Sequence, residues 1–225
     1  MQNVLVGLTL TIRSFGPKLW LSASNFDGQH LNGDEVITGS ATDRTQDSMG
    51  NAVVSTGTID VVNDGGHSAY FFDSTNSIKT TTSVGRDFTF VSVFRRKLIE
   101  QAGRCFTGTG GNYFFTCEYG GVNSFYLDSA YLTDANKRIT NTEIQFFIGT
   151  NNAGTKNMWN IKLNQAEFAP TTGGANAWGQ TVIGKPPAVG GAANFYVYED
   201  LVFDHTLNTE QMEYIKTEFK KKYLA

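Results

Sequence analysis

The sequence predicts an all-β fold: antiparallel strands stacked as a sandwich or barrel, with one C-terminal α-helix packed on it. Three observations predict it. Most of the 225 residues alternate apolar and polar with period two in short runs. Those runs are bounded by Gly, Asn, Asp, Ser and Thr, the residues that turns require. Only the last stretch changes to helical spacing.

Taken in order, the candidate strands are residues 4–13, 18–21, 52–56, 69–73, 87–96, 104–107, 113–117, 124–127, 144–150, 158–163, 181–183 and 194–203. In the second of these, K-L-W-L, Trp20 reads as core. Between the third and fourth lies V-V-N-D-G-G-H, whose N-D-G-G is a strong turn signal. In D-F-T-F-V-S-V-F-R-R, Phe88, Phe90, Val91, Val93 and Phe94 leave few polar positions, so this strand is expected to be central and covered on both faces. Arg95, Arg96 and Lys97 at its end, with Arg104, form the densest basic group and read as solvated strand-end charges.

The next two runs read as a hairpin around F-T-G-T-G-G-N-Y-F-F-T, flanked by Cys105 and Cys117. A turn centred on Gly111 sets the two cysteines opposite each other, and one centred a residue earlier pairs Cys117 with Gly103; the pattern leaves the register open. Two cysteines make no disulfide framework, so reduced, packed thiols are expected. Trp159 lies in a run whose phase is open. The Gly-rich stretch 170–193 reads as long surface loops around a short strand rather than as a domain boundary. The helix follows the last strand. Asn208 is its N-cap and Gln211 stands at the reciprocal capping-box position, with Glu210 and Glu213 in the first turns and Lys220, Lys221 and Lys222 in the last. Met212, Ile215, Phe219 and Tyr223 form its apolar stripe.

Composition narrows the function. Hydrophobic residues at 40% supply a sizeable core, while charged residues are only 17%. Eighteen Lys and Arg against 21 Asp and Glu give a net charge of -3, which argues against nucleic acid as a partner. His30, His67 and His205 are scattered and lack zinc-ligand spacing. No stretch approaches the ~18 consecutive apolar residues of a membrane span, and no signal peptide is expected at the N-terminus.

Several ordered elements resemble the concanavalin A-like lectin/glucanase superfamily in its laminin-G-like branch. They are G-P-K-L-W-L-S-A-S-N, Q-D-S-M-G-N-A-V, A-Y-F-F-D-S-T-N-S-I-K-T, D-F-T-F-V-S-V-F-R and the closing V-I-G-K-P-P-A-V-G-G-A-A-N-F-Y-V-Y-E-D-L-V-F-D-H-T-L-N-T-E-Q-M-E-Y-I-K-T-E-F-K-K-K-Y. The resemblance spans residues 17–225 and implies a two-sheet jelly-roll sandwich, leaving residues 1–16 as an N-terminal strand or docking arm that could pair by strand addition. Ser22 stands where the family pattern has Asp, and the D-x-S-G-N-G loop is reduced to Asp47, Ser48, Met49, Gly50, Asn51 and Ala52. The paired catalytic carboxylates of the glucanase members have no counterpart here. Glu199, Asp200 and Asp204 are the nearest approach and do not reproduce the spacing, so no enzymatic activity is expected.

The resemblance implies a non-enzymatic virion protein of a tailed phage, a capsid decoration or a fibre-associated subunit assembled in the host cytoplasm. Its partners would be coat or fibre proteins and further copies of itself. The alternative is a carbohydrate-binding module or lectin for a cell-surface glycan. For that reading the candidate site is Trp178, a loop ring able to stack on a pyranose, with Asn176 beside it. No cofactor is expected; the weak Ca²⁺ candidates are Asp43, Asp47 and Asp64 with Asn63.

Overall fold

The computed structural model describes residues 11–25, 36–38, 53–73, 75–98, 103–110, 113–119, 122–127, 130–133, 141–162, 165–166, 171–172, 176–184 and 194–225. Asp43, Asp47 and residues 1–10 of the expected arm lie outside them. The alternating runs form, in chain order, β1 (Leu19–Ser22), β2 (Val36–Thr38), β3 (Val53–Thr56), β4 (Thr58–Asp64), β5 (His67–Phe72), β6 (Ser77–Val84), β7 (Phe88–Arg96), β8 (Gly103–Gly108) and β9 (Tyr113–Tyr119). They continue as β10 (Val122–Leu127), β11 (Ala130–Thr133), β12 (Gln145–Asn152), β13 (Thr155–Asn160), β14 (Gln165–Ala166), β15 (Thr171–Thr172), β16 (Gly179–Gly184) and β17 (Phe195–Phe203), and end in α1 (Thr209–Tyr223). Polar β4 and β6 escape the sequence pattern because one face of each carries Asp, Asn, Thr or Lys.

Among the described residues the strands form two antiparallel sheets. The ten-stranded sheet runs β14, β13, β12, β7, β17, β5, β4, β2, with β1 also on β17 and β15 on β13; the seven-stranded sheet runs β11, β10, β9, β8, β16, β6, β3. This is the expected all-β sandwich with one C-terminal helix. As expected, β7 is central, paired with β12 on one side and β17 on the other. Its residues serve two cores. Phe88, Phe90 and Phe94 face the second sheet, and Val91 and Val93 face outward beneath α1. Gly149 pairs with Phe90, and a Cβ there would sit 2.2 Å from the Phe90 ring, so only glycine lets that ring lie across β12.

A register shift in β17 between Val197 and Glu199 makes Tyr198 an extra residue opposite β7, a β-bulge. Tyr198 and Glu199 therefore both turn toward the helix. Phe195 and Val197 before the bulge, and Val202 after it, point into the inter-sheet core.

The helix covers the outer face of the larger sheet. Asn208 Oδ1 accepts from the Gln211 N–H at 2.9 Å while Gln211 Oε1 accepts from the Asn208 N–H at 3.0 Å, the expected capping box. Thr89 Oγ1 accepts from the Leu207 N–H at 3.0 Å and donates to the His205 carbonyl at 3.1 Å, which fixes where the chain leaves β17 for α1. Ile215, Phe219 and Tyr223 are buried and Met212 is half-buried, all in the outer core. The end of the expected strand 4–13 is instead a 3-10 turn, Ile12–Phe15, capped by Thr11 and closed by Gly16 at φ 69°. Ile12 and Phe15 are buried under the helix, with the Phe15 ring 5.6 Å from Tyr214, so this turn is packed onto the sandwich. Packing beats strand propensity here because Thr11 and Ser14 cap one another's backbone.

The β8–β9 hairpin follows neither anticipated register. Phe106 pairs with Phe115 and Thr107 with Phe114, whereas Arg104 pairs with Thr116 and Gly103 with Glu118. Cys105 and Cys117 are thus each an unpaired bulge position on its own strand. Their expected reduced state lies outside the described residues.

Candidate functional site

The N-D-G-G segment turns β4 back into β5 through Gly65 and Gly66, at φ 62° and 90°, and sets Asp64 opposite His67 at the end of the hairpin. Arg95 comes to the same place from β7, and Tyr198 from the bulge of β17. Arg95 Nε and Nη2 donate to the two carboxylate oxygens of Asp64, and the Tyr198 hydroxyl donates to Asp64 Oδ2. Burial works to raise the Asp64 pKa, but the hydrogen bonds from Arg95 and Tyr198 and the Arg95 charge outweigh it and hold the carboxyl below its ordinary value. Arg95 is held more firmly protonated by the Asp64 hydrogen bond. Burial, reinforced by the bond to Asp64, pushes the Tyr198 phenol up.

These groups line a cleft of about 920 Å³ with His67, Lys162, Lys220 and Tyr223. Glu143 and Lys162 form an ion pair on its far rim. His67 lies 6.1 Å from the Tyr198 ring and 5.2 Å from the Tyr223 ring, closing one wall with aromatic faces. Arg95 also lies 4.4 Å over Tyr196, which packs 5.0 Å from Phe71, itself 4.4 Å beneath the Lys97 ammonium. Rings and both signs of charge held rigid on strands suit a ligand rich in hydroxyls, which donate and accept in equal measure.

A second cluster lies under the C-terminal end of α1. Glu199, 1% exposed, accepts from Ser22 Oγ at 2.9 Å, Trp20 Nε1 at 2.9 Å, Lys222 Nζ at 2.6 Å and Tyr223 Oη at 2.9 Å. Burial, together with the Glu199 charge, pushes the Tyr223 phenol up. Ser22, standing where the resembled pattern has Asp, thus donates to a carboxylate that an Asp would repel. Asp200, 4% exposed, follows Glu199 but points into the inter-sheet core opposite Ser92. Burial raises its pKa well above the ordinary value; the nearby Ser92 hydroxyl works against this and the Glu199 charge adds to the rise, while neither carboxylate oxygen has a hydrogen-bond partner among the described residues. Glu199 and Asp200 lie on opposite faces of β17 and both are buried. They do not form the accessible pair on one face that retaining glycoside hydrolysis uses at about 5 Å. Asp204 pairs with Lys18 at 3.2 Å on the surface.

Trp178, the expected stacking ring, is 1% exposed and belongs to the inter-sheet core. Its ring packs 4.8 Å from Phe88 and 5.7 Å from Phe90, and its indole N–H donates to Thr181 Oγ1 at 2.9 Å. A Cβ on Gly108 would meet the indole at 2.9 Å, so the glycine admits the ring into the sheet interface. Asn176 is exposed beside it and has no stacking ring to support. Asp64 is not a calcium donor in this arrangement, since Arg95 and Tyr198 engage its carboxylate. Trp20, expected as core, is half-buried with its indole N–H on Glu199, and Trp159 is half-buried against the outer core. Of the basic group, Arg96 is 2% exposed and Arg95 is ion-paired, not solvated. Pattern reading missed the Asp64, Arg95 and Tyr198 cluster because its members come from three strands; the N-D-G-G turn alone marked the place.

No protein-family model and no curated protein matches the chain. Its fold is shared with several solved structures. The receptor-binding domain of botulinum neurotoxin D superposes with a TM-score of 0.62 at 10% identity, covering 92% of this chain and 54% of that one. The binding domain of botulinum neurotoxin serotype D gives 0.59 at 9% identity, over 83% and 50%. Domain 4 of the extracellular arabinanase AbnA from Geobacillus stearothermophilus gives 0.58 at 11% identity, over 82% of this chain and all 100% of that domain. The chain spans about half the length of the neurotoxin binding domains. The fold is therefore a two-sheet β-sandwich of the shape found in binding domains of this kind, consistent with the lectin-like jelly roll that the sequence resembles.

Proposed function

We propose that the chain is a non-catalytic carbohydrate-binding domain whose site is the cleft around Asp64, Arg95 and Tyr198. The observation that carries the reading is the fork of Arg95 on Asp64, held by Tyr198 at the wall of a 920 Å³ cleft, which presents fixed donors and acceptors beside aromatic rings. The shared fold supports it: the arabinanase domain was solved in complex with arabinotriose, and another neurotoxin structure concerns interaction with two ganglioside molecules. The burial of Glu199 and Asp200 on opposite faces of their strand supports a binding role over a hydrolytic one. A glycan array with wild type and Arg95→Gln tests it. Specific binding weakened at least ~10-fold in the variant, about 1.4 kcal/mol, is expected; an array without specific binding, or binding that Arg95→Gln leaves intact, overturns it.

The narrower virion role rests on the resemblance and on a charge-poor composition, 17% charged residues, that suits a surface made for protein contacts. Mass spectrometry of purified particles tests that reading, and absence of the chain from them removes it.

A further inference from the structure

The charged side chains of the cleft cancel in pairs with one exception. Arg95 is bound to Asp64, and Lys162 to Glu143. Lys220, in the last turn of α1, also lines the cleft and is half-buried there. Among the described residues its ammonium has no hydrogen bond and no ion pair, either with Glu143 or with the α-carboxylate of Ala225 at the exposed rim. We infer that the cleft takes an acidic sugar, one bearing a carboxylate or a sulfate, with that anion held by Lys220 and His67. The inference rests on the carbohydrate reading above and names the class of glycan within it.

Tyr223 brings the two groups together. Lys220 precedes it by three residues and so lies on the same side of the helix, and the His67 ring lies 5.2 Å from the Tyr223 ring. The phenol itself is committed to Glu199 at 2.9 Å. Among the described residues neither ring nitrogen of His67 has a hydrogen-bond partner, so a His67 N–H and the Lys220 ammonium are both open to a ligand. The fork on Asp64 leaves further Arg95 N–H groups along the same wall. Acceptors are scarcer. Both Asp64 oxygens are engaged, and Glu143, 62% exposed at the far rim, is screened by water. Open donors with one unmatched cation favour a charged acceptor, because hydrogen bonds to an ionised group are the stronger ones. Lys220 also offsets the helix dipole, as Lys221 does, but Lys221 borders the groove on the other flank of α1 and not the cleft.

The test is a glycan array that carries trigalacturonate beside its methyl ester and 3′-sulfolactose beside lactose, so that each pair differs in its acid. Specific binding of a charged member at least ~10-fold tighter than its neutral partner is expected. Trigalacturonate as that member identifies a carboxylate ligand, and 3′-sulfolactose a sulfate. Lys220→Gln keeps a good helix former and is expected to weaken the binding about tenfold with the urea midpoint unchanged. Lys221→Gln makes the same change in net charge one residue away and is expected to leave the binding unaltered. An array that binds neither charged member overturns the inference. So does acidic-glycan binding that survives Lys220→Gln, or that Lys221→Gln weakens as much. The two readings fail separately: neutral-glycan binding lost in Arg95→Gln leaves the cleft a carbohydrate site without the acid preference, whereas an array with no specific binding removes both.

Discussion

The Tyr223 hydroxyl donates to Glu199 Oε1 at 2.9 Å and so ties the last turn of α1 to the centre of the larger sheet. The ammonium of the preceding residue, Lys222, reaches the same oxygen at 2.6 Å and Ser24 Oγ at 2.6 Å. The lysines that complement the helix dipole thus include one with a specific structural partner. Glu199→Leu leaves four donors, one of them charged, facing an apolar group. The Lys222 side chain, 39% exposed, can turn to solvent, so the cost comes from the buried hydroxyls left without an acceptor, and a loss of roughly 2–3 kcal/mol is expected in urea unfolding. Tyr223→Phe removes one donor and is expected to cost about 1 kcal/mol.

Trp178→Ala empties an inter-sheet site and removes the donor to Thr181. A destabilisation of about 3–5 kcal/mol is expected by chemical denaturation. Glycan affinity of the folded protein is expected to stay unchanged. A selective loss of binding with stability intact would return Trp178 to the ligand site.

Asp200 sets a pH dependence with a definite sign. Its carboxyl titrates higher in the folded chain than in the unfolded one, so folding favours the protonated acid. Its contribution is complete below the unfolded value near 3.8 and is lost as pH rises toward the folded value. Asp200→Asn, neutral at every pH, is expected to raise stability at pH 7 by on the order of 1 kcal/mol or more and to give no gain at pH 3. Thermal unfolding of both proteins across that range checks it.

Asn208→Ala removes the acceptor for the Gln211 N–H. A cost of about 1 kcal/mol is expected, read as a lower urea midpoint with the slope unchanged.

The helix was legible in the sequence down to its cap because the signals are local: Asn208, Gln211 and a four-residue stripe. β7 and β17 were legible because a doubly covered strand is a nearly continuous apolar run. The hairpin register was not, since bulges at Cys105 and Cys117 shift one strand against the other without changing composition. Trp178 misled for a different reason. Glycines around a tryptophan suit an exposed loop and equally a ring packed flat against backbone, and only the position of Gly108 across the sheet decides. The cleft was least legible. Asp64 and Tyr198 are 134 residues apart, and nothing in either neighbourhood names the other.

The extra residue at Tyr198 divides β17 into two halves of opposite parity. Before it, odd-numbered residues enter the core; after it, even-numbered ones do. Deleting Tyr198 would restore plain alternation and leave Glu199–Phe203 facing as they do, with the phenol lost from beside Asp64. Deleting Leu201 and keeping Tyr198 opposite Val93 would turn Glu199 into the inter-sheet core and Asp200 toward the helix. The extra residue is thus what lets Tyr198 and Glu199 share one side, and a relative without it is expected to lack one of the two.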